Sequence, residues 1–198
     1  MARELNELQL DALKEAGNIG AGNAAMALSE MLGRRIGVHV PRALVLPLQS
    51  VPDLAGGAEA AVAGIYLHVS GEAEGSMLLL LPETNALQLV ATLLPGERDF
   101  SETARSALQE MGTILTGSYL TALATLTGMS LMPSVPLFAL DMAGAVLDLI
   151  LVELSKSEDE VLVIETSFDI DGHESHGHII FFPDAGSLDG ILVRLGVA

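Results

Sequence analysis

The chain has no cysteine. Disulfides and thiolate chemistry are thereby excluded, although the absence does not choose a compartment. Basic residues are scarce as well: 9 Lys and Arg stand against 26 Asp and Glu, for a formal charge of -17. Such a surface repels a phosphate backbone and an anionic membrane, so neither is expected as a partner. Long uninterrupted apolar runs are missing too. The opening MARELNELQLDALKE carries charges where a signal peptide needs an apolar core, and the most apolar later stretch, Gly144 to Leu154, is broken by Asp148 and Glu153. Nothing marks export or membrane insertion, and the cytoplasm is the default location.

What is present suffices for one substantial core, since half of the 198 residues are apolar and no linker divides them. One domain over residues 1–198 is expected, built from two repeats at about 5–95 and 100–195. The repeats are visible at an offset of 95 residues. Glu15 maps to Glu110, Gly17 to Gly112, Gly22 to Gly117, Gly33 to Gly128 and Pro41 to Pro136. Five coincidences at one offset imply a duplication. Leu81-Pro82-Glu83 and Phe182-Pro183-Asp184 match more loosely, with a few residues inserted between the landmarks.

Ala, Leu, Met and Glu dominate residues 5–33 and 101–127, which predicts two long helices ending at Gly33 and Gly128, where a left-handed residue is wanted. Strands are predicted at 36–40, 43–48, 61–69, 75–81, 129–135, 144–154, 160–170 and 176–182 from recurring β-branched residues and leucines. Pro82 and Pro183 are placed at the starts of short helices, with acids in the first turn. The economical fold is of α+β type: a shared, largely antiparallel sheet with the two long helices side by side on it, related by a pseudo-two-fold axis.

On a helix, Asp11, Glu15 and Asn18 fall within a stripe roughly 60° wide. Gly22 and Ala25 continue it with small side chains that would let another protein's backbone approach. Taken alone, three polar residues on one face are equally the solvated side of an amphipathic helix. The spacing says more. Asp or Ser, three residues, Glu, two residues, Asn, twenty-two residues, Pro is a pattern that resembles the signature of the CheC, CheX and FliY phosphatases. Asp11, Glu15, Asn18 and Pro41 meet it at every position, and Ser106, Glu110 and Pro136 meet it again, with Thr113 in place of the second Asn.

The resemblance implies the duplicated helix-and-sheet fold and hydrolysis of the aspartyl phosphate of a CheY-like response regulator. It also implies roles. Asn18 would orient the attacking water, which suits a carboxamide because it donates, accepts and does not titrate. Glu15 would pair with a lysine of the regulator. Asp11, Gly22, Ser106 and Glu110 become docking contacts, and Pro41 and Pro136 shape the backbone. Mg²⁺ would come with the regulator, leaving this chain without a metal or cofactor of its own. Thr113 is shorter and β-branched, so the second site is expected to be weak or dead. A non-catalytic alternative stays open, in which the chain sequesters the phosphorylated regulator or scaffolds a CheD-type partner. A flagellar-switch role ranks last, because FliY carries an added switch domain and this chain ends soon after its second repeat. A monomer is expected, since the internal repeat already supplies a two-fold axis.

Other signals carry less. Gly17-Asn-Ile-Gly-Ala-Gly22 lacks the preceding strand and following Lys of a phosphate loop. His173, His176 and His178 beside Asp169, Asp171 and Glu174 could bind a metal, but residues 171–175 read as an exposed hairpin turn. No Ser, His and Asp sit on a recognisable nucleophile turn.

Overall fold

A computed structural model describes residues 5–153 and 160–198. The first long helix, α1 (Glu7–Leu32), starts at Asn6, whose side chain accepts from the Gln9 amide while the Gln9 side chain accepts from the Asn6 amide. At its end Gly33 takes φ 61°, which spares an L side chain the left-handed penalty. The matching helix, α3 (Glu102–Thr127), is capped by Ser101 and ends on Gly128 at φ 69°. Cap and stop residues thus recur in both halves.

Each half runs in the same order. After α1 come β1 (Ile36–His39), β2 (Ala43–Pro47), a 3-10 helix (Leu48–Ala55), the long strands β3 (Ala61–Gly71) and β4 (Gly75–Pro82), and α2 (Glu83–Leu93). After α3 come β5 (Leu131–Pro133), β6 (Leu137–Met142), α4 (Ala143–Glu153), β7 (Glu160–Ile170), β8 (His173–Pro183) and α5 (Ser187–Arg194). The sheet is antiparallel in every pairing, with β8 and β4 side by side at its centre, β7 and β3 outside them, and the short strands at the rims. The rims are exchanged. The first half's β1 and β2 pair with β7 of the second, and the second half's β5 and β6 pair with β3 of the first. Neither half can complete its own sheet.

Two apolar layers result. The larger lies between the long helices and one sheet face, with Leu13, Leu28, Ile65, Leu79, Leu108, Leu115, Ile164 and Phe181 in it. The smaller lies under the 3-10 helix and α4, around Val51, Leu78, Leu80, Val146, Val163 and Phe182. Because β4 is covered on both faces, Met77 to Leu81 form a continuous apolar run rather than an alternating one.

The stretch 144–154, predicted as a strand, is helical through Glu153, and its last residue lies outside the described residues. Ala143, Val146 and Leu147 are buried at helical spacing, a signal that the run of apolar residues obscured. The predicted strand 129–135 contracts to β5, and β6 was not anticipated. The hairpin turn is only Asp171-Gly172, both at positive φ (51° and 83°), the two-residue geometry that matches strand twist; residues 173–175 belong to β8. Pro82 does cap α2, but Pro183 closes β8 and α5 starts later, at Ser187.

The long helices touch through Gly20. A Cβ there would lie 2.7 Å from Cδ1 and 2.8 Å from Cα of Tyr119, and the backbone atom cannot yield. Gly20→Ala is therefore expected to lower stability by about 1 to 3 kcal/mol by overpacking. Gly22→Ala, whose Cβ would meet nothing within 4 Å, should instead gain about 0.5 to 1 kcal/mol of helix propensity. Urea unfolding of the two variants measures the contrast.

Tyr119 is 1% exposed, and among the described residues its hydroxyl has no hydrogen-bond partner. Burial pushes the phenol up to about 12 from 10.0, and Thr166 opposes this only in part. The Thr166 hydroxyl lies outside hydrogen-bonding geometry with the phenol and donates to the Ile164 carbonyl at 3.2 Å. Above pH 10 the unfolded chain releases a proton that the native state keeps, so stability falls as pH rises from about 10 towards about 12, by roughly 2 to 3 kcal/mol in all. Tyr119→Phe should abolish that alkaline loss, seen as equal urea midpoints at about pH 9 and about pH 11.

Candidate functional site

Along α1 the buried side consists of Leu13, Ala16, Gly17, Gly20, Ala21, Ala24 and Leu28, which turns the opposite side to solvent. Asp11, Glu15, Asn18 and Gly22 are all exposed there. Among the described residues, the side chains of Asp11, Glu15 and Asn18 make no hydrogen bond or ion pair. They are thus oriented by the helix alone and available to a second molecule. The open space above Gly22 adds a notch to the same face.

The floor of this face is fixed from below. A Cβ at Gly17 would lie 3.5 Å from the Val40 side chain, so the link between β1 and β2 runs directly against α1 at the level of Glu15 and Asn18. Pro41 is exposed in that link. Its neighbour Arg42 accepts from the Glu165 amide at 3.0 Å through its carbonyl and pairs with the Glu165 carboxylate at 2.6 Å. That hydrogen bond and charge raise the guanidinium pKa further above its ordinary value. Val40 and Glu165 together hold the Pro41 link in place, a role the sequence did not reveal because Glu165 comes from the other repeat.

The second face differs at its centre. Ser106 and Glu110 are exposed like their counterparts. Thr113 is half-buried, and its hydroxyl turns back to donate to the Gln109 carbonyl at 2.8 Å. Gln109 in turn donates to the Pro136 carbonyl at 3.4 Å, tying the second Pro link to α3. The Arg105 guanidinium lies 6.0 Å over the Phe138 ring. Thr113 therefore offers no outward donor and acceptor pair where Asn18 offers one.

The histidines are dispersed by strand alternation: His176 and His178 share one face of β8 and His173 lies on the other. The His176 ring sits 4.0 Å from the Glu174 carboxylate. Burial lowers the pKa of His178, with the Glu165 charge opposing and His176 and Arg42 reinforcing the shift. Among the described residues no three His, Asp or Glu side chains converge as a metal group. A small cavity beneath the helix pair is lined by Leu13, Ala16, Gly17, Tyr119 and Phe181 and is almost wholly apolar, with Glu15 and Asn18 outside it. Asp11, Glu15 and Asn18 thus stand on an open helix face rather than in a cavity.

The pattern of the CheC-like family matches residues 8–45 and 104–138, the two helices with their Pro links. Over 98% of the chain and 97% of the relative, the sequence is 40% identical to the CheY-P phosphatase CheC of Bacillus subtilis (strain 168). It is 29% identical to the flagellar motor switch phosphatase FliY of the same organism, over 62% of this chain and 33% of that one. The crystal structure of Thermotoga maritima FliY superposes with a TM-score of 0.75 at 22% identity, covering 98% of both chains, a likeness of fold.

Proposed function

The chain belongs to the CheC-like family, and from that membership we propose that it hydrolyses the aspartyl phosphate of a phosphorylated CheY-type response regulator through the face of α1. The observation that carries this reading is the exposed, unpartnered Asp11–Glu15–Asn18 row above the Pro41 link at the spacing of the family's site. In the reaction, water attacks phosphorus in line, the bond from phosphorus to the aspartyl oxygen breaks, and carboxylate and inorganic phosphate leave. The Asn18 amide accepts a hydrogen bond from that water and holds its lone pair towards phosphorus, supplying position rather than covalent chemistry. Glu15 pairs with a lysine beside the regulator's phosphoryl group and fixes the docked pose. Asp11 and Gly22 extend the contact along the helix. The regulator brings Mg²⁺ in its own acidic cluster, and the reading gives this chain no metal and no cofactor.

A second reading, a scaffold for a CheD-type partner, is favoured by one feature. On the rim strand β6, Leu140 and Met142 share one face and are 37% and 49% exposed, and Met132 on β5 is 65% exposed, apolar side chains that a partner could cover. The catalytic reading is tested by one assay. Substoichiometric protein mixed with phosphorylated regulator should release many equivalents of phosphate per chain. Release of none, with the regulator held in a complex, would replace catalysis by sequestration.

A further inference from the structure

Of the large apolar side chains that stand in solvent on α1, three form a row: Leu8 at 63%, Ile19 at 37% and Met26 at 60% exposure. At about 100° per residue they fall within roughly 20° of one another, in a row parallel to the polar one and bordering it on the side of Glu15. Scattered exposed apolar residues need no explanation, but a row aligned beside a candidate site does. The duplicated half provides an internal control. At the offset of 95 residues Leu8 corresponds to Thr103 and Met26 to Thr121, both exposed threonines, whereas Ile19 corresponds to the half-buried Ile114. Thr121 donates its hydroxyl to the Gly117 carbonyl at 2.8 Å, within its own helix. The exposed apolar side chain at the end of each helix is retained, Met31 at 47% and Leu126 at 42%, so α3 has not simply lost apolar surface everywhere. It lacks the row where it also lacks the amide.

We infer that Leu8, Ile19 and Met26 form the apolar half of the docking face for the phosphorylated receiver domain, and that the second face lacks this half as well as its water-orienting group. The inference rests on the proposed phosphatase reading and specifies what it leaves open, how a chain of charge -17 grips a partner whose phosphorylated cleft is itself acidic. The Glu15 pair fixes the pose, and affinity comes from an apolar strip of the receiver laid along the row, outside the cleft. The occupant is a receiver because the row is continuous with Glu15 and Gly22 on one helix face, so whatever covers the one covers the other.

The test is the double variant Leu8→Thr/Met26→Thr, which gives α1 the residues α3 carries. With both side chains mostly in solvent, its melting temperature and circular dichroism should match the wild type. Steady-state hydrolysis of phosphorylated receiver should show KM raised by about 10- to 100-fold with kcat unchanged, the scale of one to two buried apolar side chains. Titration with receiver loaded with beryllofluoride and Mg²⁺ should show the same rise in Kd. A wild type that turns over the receiver, with the double variant matching it in KM and Kd, overturns the inference and leaves the phosphatase reading standing. A wild type that binds the loaded receiver through Leu8 and Met26 without turning it over overturns the catalytic reading and keeps the docking face. No binding by the wild type overturns both.

Discussion

Asn18→Ala is expected to lower kcat for the phosphorylated regulator by about 10² to 10³, the usual cost of deleting one group that acts on the reacting centre. Its Kd for beryllofluoride-loaded receiver should stay within about two-fold, because the amide's duty is confined to the water. Glu15→Ala should raise Kd and lower kcat/KM together, since a carboxylate that holds the docked pose acts in the ground state as well as in the transition state. The two losses separate because the side chains are exposed and unpaired in the free protein, so neither change disturbs packing. Single-turnover hydrolysis and receiver titration of both variants give the comparison. If both changes weaken binding alike and leave kcat alone, the face binds without catalysing.

Thr113→Asn is expected to create activity. In an Asn18→Ala background, where the first face is silent, the added amide should raise kcat by about 10² to 10³ above that background, or roughly 2.7 to 4 kcal/mol of barrier. The structure supplies the reason that threonine fails. Its hydroxyl is spent on the Gln109 carbonyl at 2.8 Å, and threonine has no second polar group to offer. The other polar elements of the second face are in place, with Ser106 and Glu110 exposed and the Pro136 link tied to Gln109. The recovered activity must depend on Glu110, so adding Glu110→Ala should remove it. Because Thr103 and Thr121 stand where the first face has Leu8 and Met26, KM should remain high until Thr103→Leu and Thr121→Met are added. Activity that survives loss of Glu110 would show that the carboxylate and amide roles are wrongly divided.

Much of this protein could be read from its sequence, because the readable features are local. The long helices declare themselves by composition, and Gly33 and Gly128 stop them where a left-handed residue is needed. The Asp11–Glu15–Asn18 face follows from helical periodicity, and spacing alone is enough to match Glu15 with Glu110 and Pro41 with Pro136. Residues 144–153, predicted within a strand and found helical, mark the opposite limit. There a short apolar run satisfies either period, and only burial of Ala143, Val146 and Leu147 on one side decides.

What the chain could not disclose was pairing across the two repeats. A duplication predicts two similar units but says nothing of which rim strand closes which sheet, since β1 and β2 present the same hydrogen-bonding edge to β3 as to β7. The tertiary structure decides for exchange, with β1 and β2 on β7 and β5 and β6 on β3. That choice brings Glu165 from the second repeat to hold Arg42 beside the first repeat's site, and lets Tyr119 pack on Gly20. Residue types and spacing along one helix set the chemistry of the face, because a helix orients its own side chains. The floor and rigidity of that face are long-range, and depend on which distant strands bury the most apolar surface while leaving no backbone group unpaired.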